Sequence, residues 1–334
     1  MSQLKAPYLL FIGDAKDPLS IKMARSAADW SPEKCLGELR LDGCEVTTGC
    51  TAMSLDEAVS RGAKSLVLGF ANSGGYIDSA WLPILQQALA SGLDIISGLH
   101  DRLNDLPELV AAAQSNGCTL HDIRHPSAKL RTGKGYHRQG KRLLTVGTDC
   151  SVGKMYTSLA LTKELQDRHI KASFRATGQS GILVAGDGIA VDCVVADFIA
   201  GAIEDLAPAN DADHWDIIEG QGSLFHPAFA GVSLGLLHGA QADALVVCHA
   251  LGRSSMRAID DRPLPSLVET IAVNEQLART TNPQAKVIAI AVNTSAVDEA
   301  AAMAYCREVE TQLGMPCVDP IRHGVSRIAD KLNG

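Results

Sequence analysis

The chain has 334 residues, 46% of them apolar and 20% charged, which describes a soluble globular protein long enough for two domains or one large α/β unit. Its formal net charge of −8 gives no general attraction for nucleic acid, and no apolar run approaches the length of a membrane span. The nine cysteines show no CxxC pair or zinc spacing, and several, such as Cys193 and Cys248, lie in apolar runs, which suits reduced thiols in a cytoplasmic protein.

The start, MSQLKAPYLLFIGD, lacks a signal-peptide pattern, because its apolar run leads straight into a strand and turn. Residues 1–125 then alternate strands with helices. Tyr8–Ile12 reads as a strand ending at Gly13-Asp14. Ser54-x-x-Glu57 is a capping box that opens a helix stopping near Gly62. Ser65–Phe70 is a second strand, followed by a glycine-rich turn containing Asn72, Ser73 and Gly74. A helix runs to Gly92. A strand over Asp94–Ser97 and a helix between Pro107 and Gly117 follow. Cys118–Asp122 closes the series. This pattern predicts a parallel, Rossmann-like sheet. It has no G-x-G-x-x-G. Asn72, Ser73 and Gly74 fall at a strand's carboxyl end, where ligands bind in such sheets, but a plain turn accounts for them better. His121-x-x-x-His125 has the spacing of a helical metal pair, yet it falls on a strand and turn.

Residues 126–141 lie in a basic stretch, RHPSAKLRTGKGYHRQGKR over 124–142, with seven Lys or Arg and no acid. It reads as the connection between two halves. It is either a solvated linker or a source of cations (Lys129, Arg131, Lys134, Arg138) for an additional phosphate.

Residues 142–334 form the second half. The apolar strand 142–147 runs into Gly147-Thr148-Asp149-Cys150-Ser151-Val152-Gly153-Lys154-Met155 and then into a helix. That is a phosphate cradle: loop amides and the helix N-terminus face an anion, and the lysine adds a positive charge. Five residues separate the glycines, as in the GTDxxVGK loops of dethiobiotin synthetase-like enzymes. Met155 stands where a Ser or Thr normally ligates Mg²⁺, and a thioether is a poor ligand for that hard cation. Thr157 is too far along the helix to replace it. The loop suits a diphosphate that is held rather than hydrolysed, as in coenzyme A or a dinucleotide, without a metal.

Further strands are expected at 172–176, 215–219, 243–249 and 286–292, with helices between, one of them capped by Ser266-x-x-Glu269 with Leu267 and Ile271 on its buried face. Their carboxyl ends gather polar residues: Arg175, Gln179 and Ser180; Glu219 and His226; His249 and Arg253; Asn293 and Thr294. Glu219 occupies the Walker-B place, as a metal ligand or base, or as an acid bonded to loop amides. His226 and His249 are structural or catalytic. Arg175 and Arg253 grip a substrate carboxylate or form ion pairs at the sheet edge. A thiol at Cys150 can carry an acyl group.

GTDCSVGK, RATGQSGI, IEGQGSLFHPAF and VVCHALGR, in that order, resemble the two-domain family that includes D-glutamate N-acetyltransferase. The resemblance spans nearly the whole chain. It implies a Rossmann-like N-terminal part, a P-loop C-terminal part, acetyl-CoA as co-substrate and an acidic D-amino acid as acceptor. On this reading residues 147–155 hold the donor, Glu219 or His226 is the base, and Arg175, Gln179, Ser180, His249 and Arg253 bind the acceptor. Cys150, tied to the diphosphate end, lies too far from the thioester to attack it. Small-molecule substrates, no nucleic-acid or membrane partner, and a homo-oligomer are expected. The competing expectation is an ATP-dependent ligase or phosphotransferase.

Overall fold

The computed structural model describes residues 3–72, 74–126 and 129–332. In chain order the strands and α-helices are β1 (Tyr8–Gly13), α1 (Lys22–Trp30), β2 (Cys35–Arg40), α2 (Leu55–Ser60), β3 (Ser65–Leu68), α3 (Leu82–Ala90), β4 (Asp94–Ser97), α4 (Pro107–Asn116) and β5 (Leu120–Asp122). They continue as β6 (Lys141–Gly147), α5 (Lys154–Asp167), β7 (Ala172–Arg175), α6 (Gln179–Ala185), α7 (Ala196–Leu206), β8 (Trp215–Ile218) and α8 (Ala230–Ala240). The last are β9 (Ala244–Ala250), α9 (Leu267–Ala278), β10 (Lys286–Asn293), α10 (Glu299–Leu313), β11 (Cys317–Val318) and α11 (Ser326–Ala329). No helix among the described residues is long and apolar enough to cross a membrane.

Two compact units emerge. The first is Met1–Ala128 with Gly178–Cys193, and the second is Lys129–Thr177 with Val194–Gly334. The excursion 178–193, carrying α6, folds with the first unit, whereas a continuous second half was expected to begin at 142.

The first unit is a five-stranded parallel sheet in the order β2-β1-β3-β4-β5. Strands buried on both faces need near-continuous apolar runs, which YLLFIG and SLVL supply. Ser54 caps α2 by accepting from Glu57 N, and Gly117 ends α4 in the left-handed region. The sequence reading missed β2, because CLGELR interrupts its apolar residues with Gly37, Glu38 and Arg40. Glu38 is nevertheless fully buried. Its carboxylate pairs with Arg40 and accepts from Thr47 Oγ1 and Thr48 N.

In such a sheet a nucleotide sits where neighbouring strands lead off in opposite directions, here at the carboxyl ends of β1 and β3. That place is filled by aromatic rings. Phe70 stacks on Trp81 with centroids 4.3 Å apart, and both meet Phe11 edge-on. A Cβ on Gly13 would lie 2.6 Å from Phe70 Cζ. Asn72 closes the following turn by donating to Tyr76 O, as a plain turn requires; Ser73 lies outside the described residues. His121 is buried on β5 with Nε2 3.5 Å from Asp94, and His125 lies on the turn beyond it.

The second unit is a six-stranded parallel sheet in the order β11-β10-β9-β6-β8-β7. β6 is central, and every residue after Lys141 in it is buried. Leu143, Leu161, Leu165, Ile217, Val246 and Ile328 belong to one core that also takes in Trp215. The Ser266–Glu269 capping box is present at α9. The most buried line of that helix is Thr270, Asn274 and Ala278, with Leu267 and Ile271 half-buried beside it. Thr270 and Asn274 are tolerated there because each donates to a carbonyl of its own helix four residues earlier.

The basic stretch is largely exposed, but two of its four candidate cations, Arg131 and Arg138, are committed to the second unit. Arg131 pairs with Glu204 and Asp205, and the amides of Lys134 and Gly135 donate to Glu204. The Arg138 guanidinium caps the end of α8 through Gly239 O and Ala240 O, and burial pushes its pKa down to about 10. The segment is a strap bound to α7 and α8. Lys129 is exposed, and Lys134 Nζ lies 6.0 Å from the centre of the Tyr136 ring.

One contact sets how close β6 and β8 come at their carboxyl ends. Gly220 donates its amide to Thr145 Oγ1, and a Cβ at 220 would lie 1.6 Å from Thr145 O. Gly220→Ala therefore forces the two strand ends apart. We expect it to destabilise the protein by about 3 kcal/mol, the upper end of ordinary overpacking, read as a lowered denaturant midpoint. An unchanged midpoint would show that the strand ends are looser than this geometry.

Candidate functional site

Central β6 delivers Gly147 to the edge of the sheet, and the chain then turns through Thr148–Gly153 into α5. The turn needs two left-handed residues, Ser151 with φ 51° and Gly153 with φ 100°; glycine accepts the second without strain. Lys154 begins α5, only 7% exposed. Its ammonium donates to Asp149 O at 2.8 Å. Burial holds its pKa below the ordinary lysine value.

The hydroxyls near the helix start are committed elsewhere. Thr157 is buried and donates back to Gly153 O at 3.0 Å. Ser158 faces Thr145, with 3.0 Å between their oxygens. Met155 follows the lysine, half-buried.

The loop is held from three sides. Ser223, five residues past the end of β8, donates to Thr148 O at 3.1 Å. His249 on β9 places Nδ1 3.1 Å from Thr148 Oγ1. Beyond β9 the segment 251–262 reaches back over the loop. Arg253 pairs with the fully buried Asp149 at 3.0 Å and donates to Cys150 O and Ser151 O. Arg257 donates from its amide to Asp149 Oδ2 at 2.8 Å, and from its guanidinium to Ser151 Oγ at 2.7 Å.

Glu219 follows β8 and is buried. One carboxylate oxygen accepts from Thr177 N at 2.9 Å and the other from Gln221 Nε2 at 3.0 Å. Its charge is felt by Lys154, where it raises the pKa against the effect of burial. His226 is buried with both ring nitrogens engaged. Nδ1 accepts from Ala228 N at 3.2 Å, so Nε2 carries the hydrogen and donates to Arg257 O at 3.1 Å. Its ring stacks on Phe229.

The structure thus brings Glu219, His226, His249 and Arg253 to the loop itself. Arg175 lies elsewhere, in an ion pair with the fully buried Asp216 at 2.7 Å on the edge pair β7–β8. That is the ion-pair alternative read from the sequence. Gln179 and Ser180 fold with the first unit, where Gln179 Oε1 accepts from Arg124 and the side chain packs over Gly98. The sequence reading did not single out Ser223, Thr145 or Arg257. The spacing Arg253-x-x-x-Arg257 just past a strand end is the one signal that could have pointed to the last.

Asp149, Cys150 and His226 each bring one potential ligand atom within 4.8 Å of the others. Charge makes this set a poor cation site. Arg253 already neutralises Asp149, His226 has no unused lone pair in its present bonding, and Lys154 and Arg257 add positive charge at the same loop. The surroundings favour an anion.

His249 is half-buried beside the Arg253 cation. Burial first, and the Arg253 cation second, hold its pKa below the usual value, so the ring is neutral near pH 7. In the unfolded chain it protonates near pH 6.5. Below about that pH the unfolded state binds the proton that the fold refuses, so stability falls as pH falls. His249→Asn should flatten the decline in unfolding free energy between about pH 7 and pH 5 relative to the unsubstituted protein. An identical slope in both proteins would contradict the neutral, half-buried imidazole.

Comparison with known proteins places this architecture. A domain of unknown function, the DUF1611_C P-loop domain, matches residues 129–329, and its Rossmann-like partner DUF1611_N matches 40–126. A D-glutamate N-acetyltransferase of Pseudoalteromonas sp is 58% identical over 330 residues, covering 99% of both chains. One of Tritonibacter scottomollicae is 52% identical over 329 residues, covering 98% of this chain and 99% of the other. The crystal structure of a DUF1611 family protein from Anabaena variabilis superposes with a TM-score of 0.89 at 30% identity, covering 98% of this chain and 99% of that one. With a Rossmann-like unit, a P-loop unit and relatives matched end to end, the chain belongs to the DUF1611 family.

Proposed function

We propose that this protein is an N-acetyltransferase that moves the acetyl group of acetyl-CoA to the amino group of D-glutamate, without a metal. The observation that carries the reaction is the end-to-end relatedness, at 58% and 52% identity, to proteins named for it. The site geometry supports a location for the donor. A buried ammonium, loop amides at a helix N-terminus and a following residue with no oxygen suit a diphosphate that is held and not cleaved. An ATP-dependent ligase of the dethiobiotin synthetase type is disfavoured by the same Met155.

In this proposal the diphosphate of acetyl-CoA rests on Gly147–Lys154. The extended pantetheine arm then carries the thioester more than about 10 Å away. The amine of the acceptor, once it has lost a proton, attacks the thioester carbonyl. The new C–N bond forms, the C–S bond breaks, the nitrogen releases its extra proton and the coenzyme leaves as the thiol. His226 donates to the segment that covers the loop, and Glu219, bonded to Thr177 N and Gln221 Nε2, acts on the loop through its charge beside Lys154; in this proposal both support the donor's phosphate end. Either of them as the base, the expectation from the sequence, is an alternative role within the same proposal. The same distance separates Cys150 from the thioester, which favours direct transfer over an acetylated cysteine.

Lys154 gives the sharpest separation of roles. If it pairs with a non-reacting diphosphate, Lys154→Ala raises the KM for acetyl-CoA about ten- to a hundred-fold, the worth of one charge-assisted contact, with kcat nearly unchanged. Steady-state kinetics with D-glutamate as acceptor measures this. A collapse of kcat with intact donor affinity would place Lys154 in the chemistry instead.

A further inference from the structure

A diphosphate carries more negative charge than one lysine neutralises. P-loops that act on nucleoside triphosphates add Mg²⁺, held by the hydroxyl after the lysine. Here that position is Met155, and the nearby Thr157 and Ser158 are turned into the protein's own hydrogen bonds. The missing charge has to come from the chain.

Besides Lys154, two cations sit at the loop. Arg253 is offset by Asp149, with which it forms an ion pair, and its remaining bonds go to loop carbonyls. Arg257 differs. Among the described residues no carboxylate lies within ion-pair distance of it, and its guanidinium has one hydrogen bond, to Ser151 Oγ at 2.7 Å. Its backbone is fixed on both sides. The amide donates to Asp149 Oδ2 at 2.8 Å, and the carbonyl accepts from His226 Nε2 at 3.1 Å. The loop's own aspartate and a buried histidine therefore fix the backbone of an arginine whose guanidinium, unpaired with any carboxylate among the described residues, lies beside the phosphate cradle. A planar guanidinium with most of its N–H donors unused matches phosphate oxygens well.

We propose that Arg257 supplies the second positive charge for the diphosphate, in place of a magnesium ion, so that the donor is clamped between Lys154 and Arg257. Asp149 and His226 are positioning residues for that clamp. The inference rests on the acetyl-CoA reading above and deepens it. It also accounts for a buried aspartate in an anion-binding loop: its charge is spent on Arg253 and on the Arg257 backbone.

The test is calorimetric titration of acetyl-CoA in the presence of EDTA with the full-length protein, Arg257→Lys and Arg257→Ala, paired with steady-state kinetics. Truncating the side chain leaves both backbone bonds in place. The expected Kd rises about ten- to a hundred-fold in Arg257→Ala and by an intermediate amount in Arg257→Lys, which keeps the charge and loses the fork. The KM for acetyl-CoA should follow, with kcat nearly constant. An unchanged Kd in Arg257→Ala overturns the proposal, as does a lysine variant no better than alanine. If the unsubstituted protein itself bound no acetyl-CoA, the donor reading would fail rather than the role of Arg257.

Discussion

Everything at the second unit's sheet edge is arranged around one buried positive charge. Lys154 is nearly sealed from water, and its ammonium donates to a backbone carbonyl, Asp149 O. Taking an ammonium out of water without a counter-ion costs several kcal/mol. Burial accordingly depresses its pKa, and the neighbouring Cys150, Cys248, Asp149 and Glu219 counter only part of this. A site in that condition gains most from an anion. The packing that keeps it so is specific: Gly220 lets β8 close on β6, Thr145 ties Gly220 to Ser158, and Ser223 and His249 fix Thr148.

The same economy explains the neighbouring charges. A buried aspartate beside a phosphate site would repel the ligand if it stood alone. Asp149 does not; it is bonded to Arg253 and to the Arg257 amide, and His226 holds the Arg257 carbonyl from the other side. The segment after β9 thereby becomes part of the loop's architecture. In the first unit the chemistry is different. The place where a Rossmann-like sheet usually receives a nucleotide is packed with Phe70, Trp81 and Phe11, which fits the lack of a glycine fingerprint there.

The strand–loop–helix over 142–167 was legible because its signals are consecutive: an apolar run, the glycines, a lysine, then a helix. The capping residues Ser54, Ser266 and Gly117 were legible for the same local reason. What was hidden depends on partners distant in sequence. β2 reads as polar until Thr47 and Thr48 satisfy Glu38. The basic strap reads as solvated until Glu204 and the end of α8 claim its arginines. The excursion 178–193, with Gln179 and Ser180, folds with the first unit, whereas the strand ends they were grouped with belong to the second. Arg175 and Arg253 looked alike as strand-end arginines. One faces Asp216 at the sheet edge and the other faces the loop.

The central claim is that the loop holds a non-reacting diphosphate without a metal. Calorimetric titration of the unsubstituted protein with acetyl-CoA, in EDTA and again with Mg²⁺, tests it most directly, with ATP and Mg²⁺ as the comparison ligand. Acetyl-CoA should bind with equal affinity in both conditions, and ATP should give no steady release of ADP. Binding of acetyl-CoA only when Mg²⁺ is present, or sustained Mg²⁺-dependent ATP hydrolysis, would contradict it.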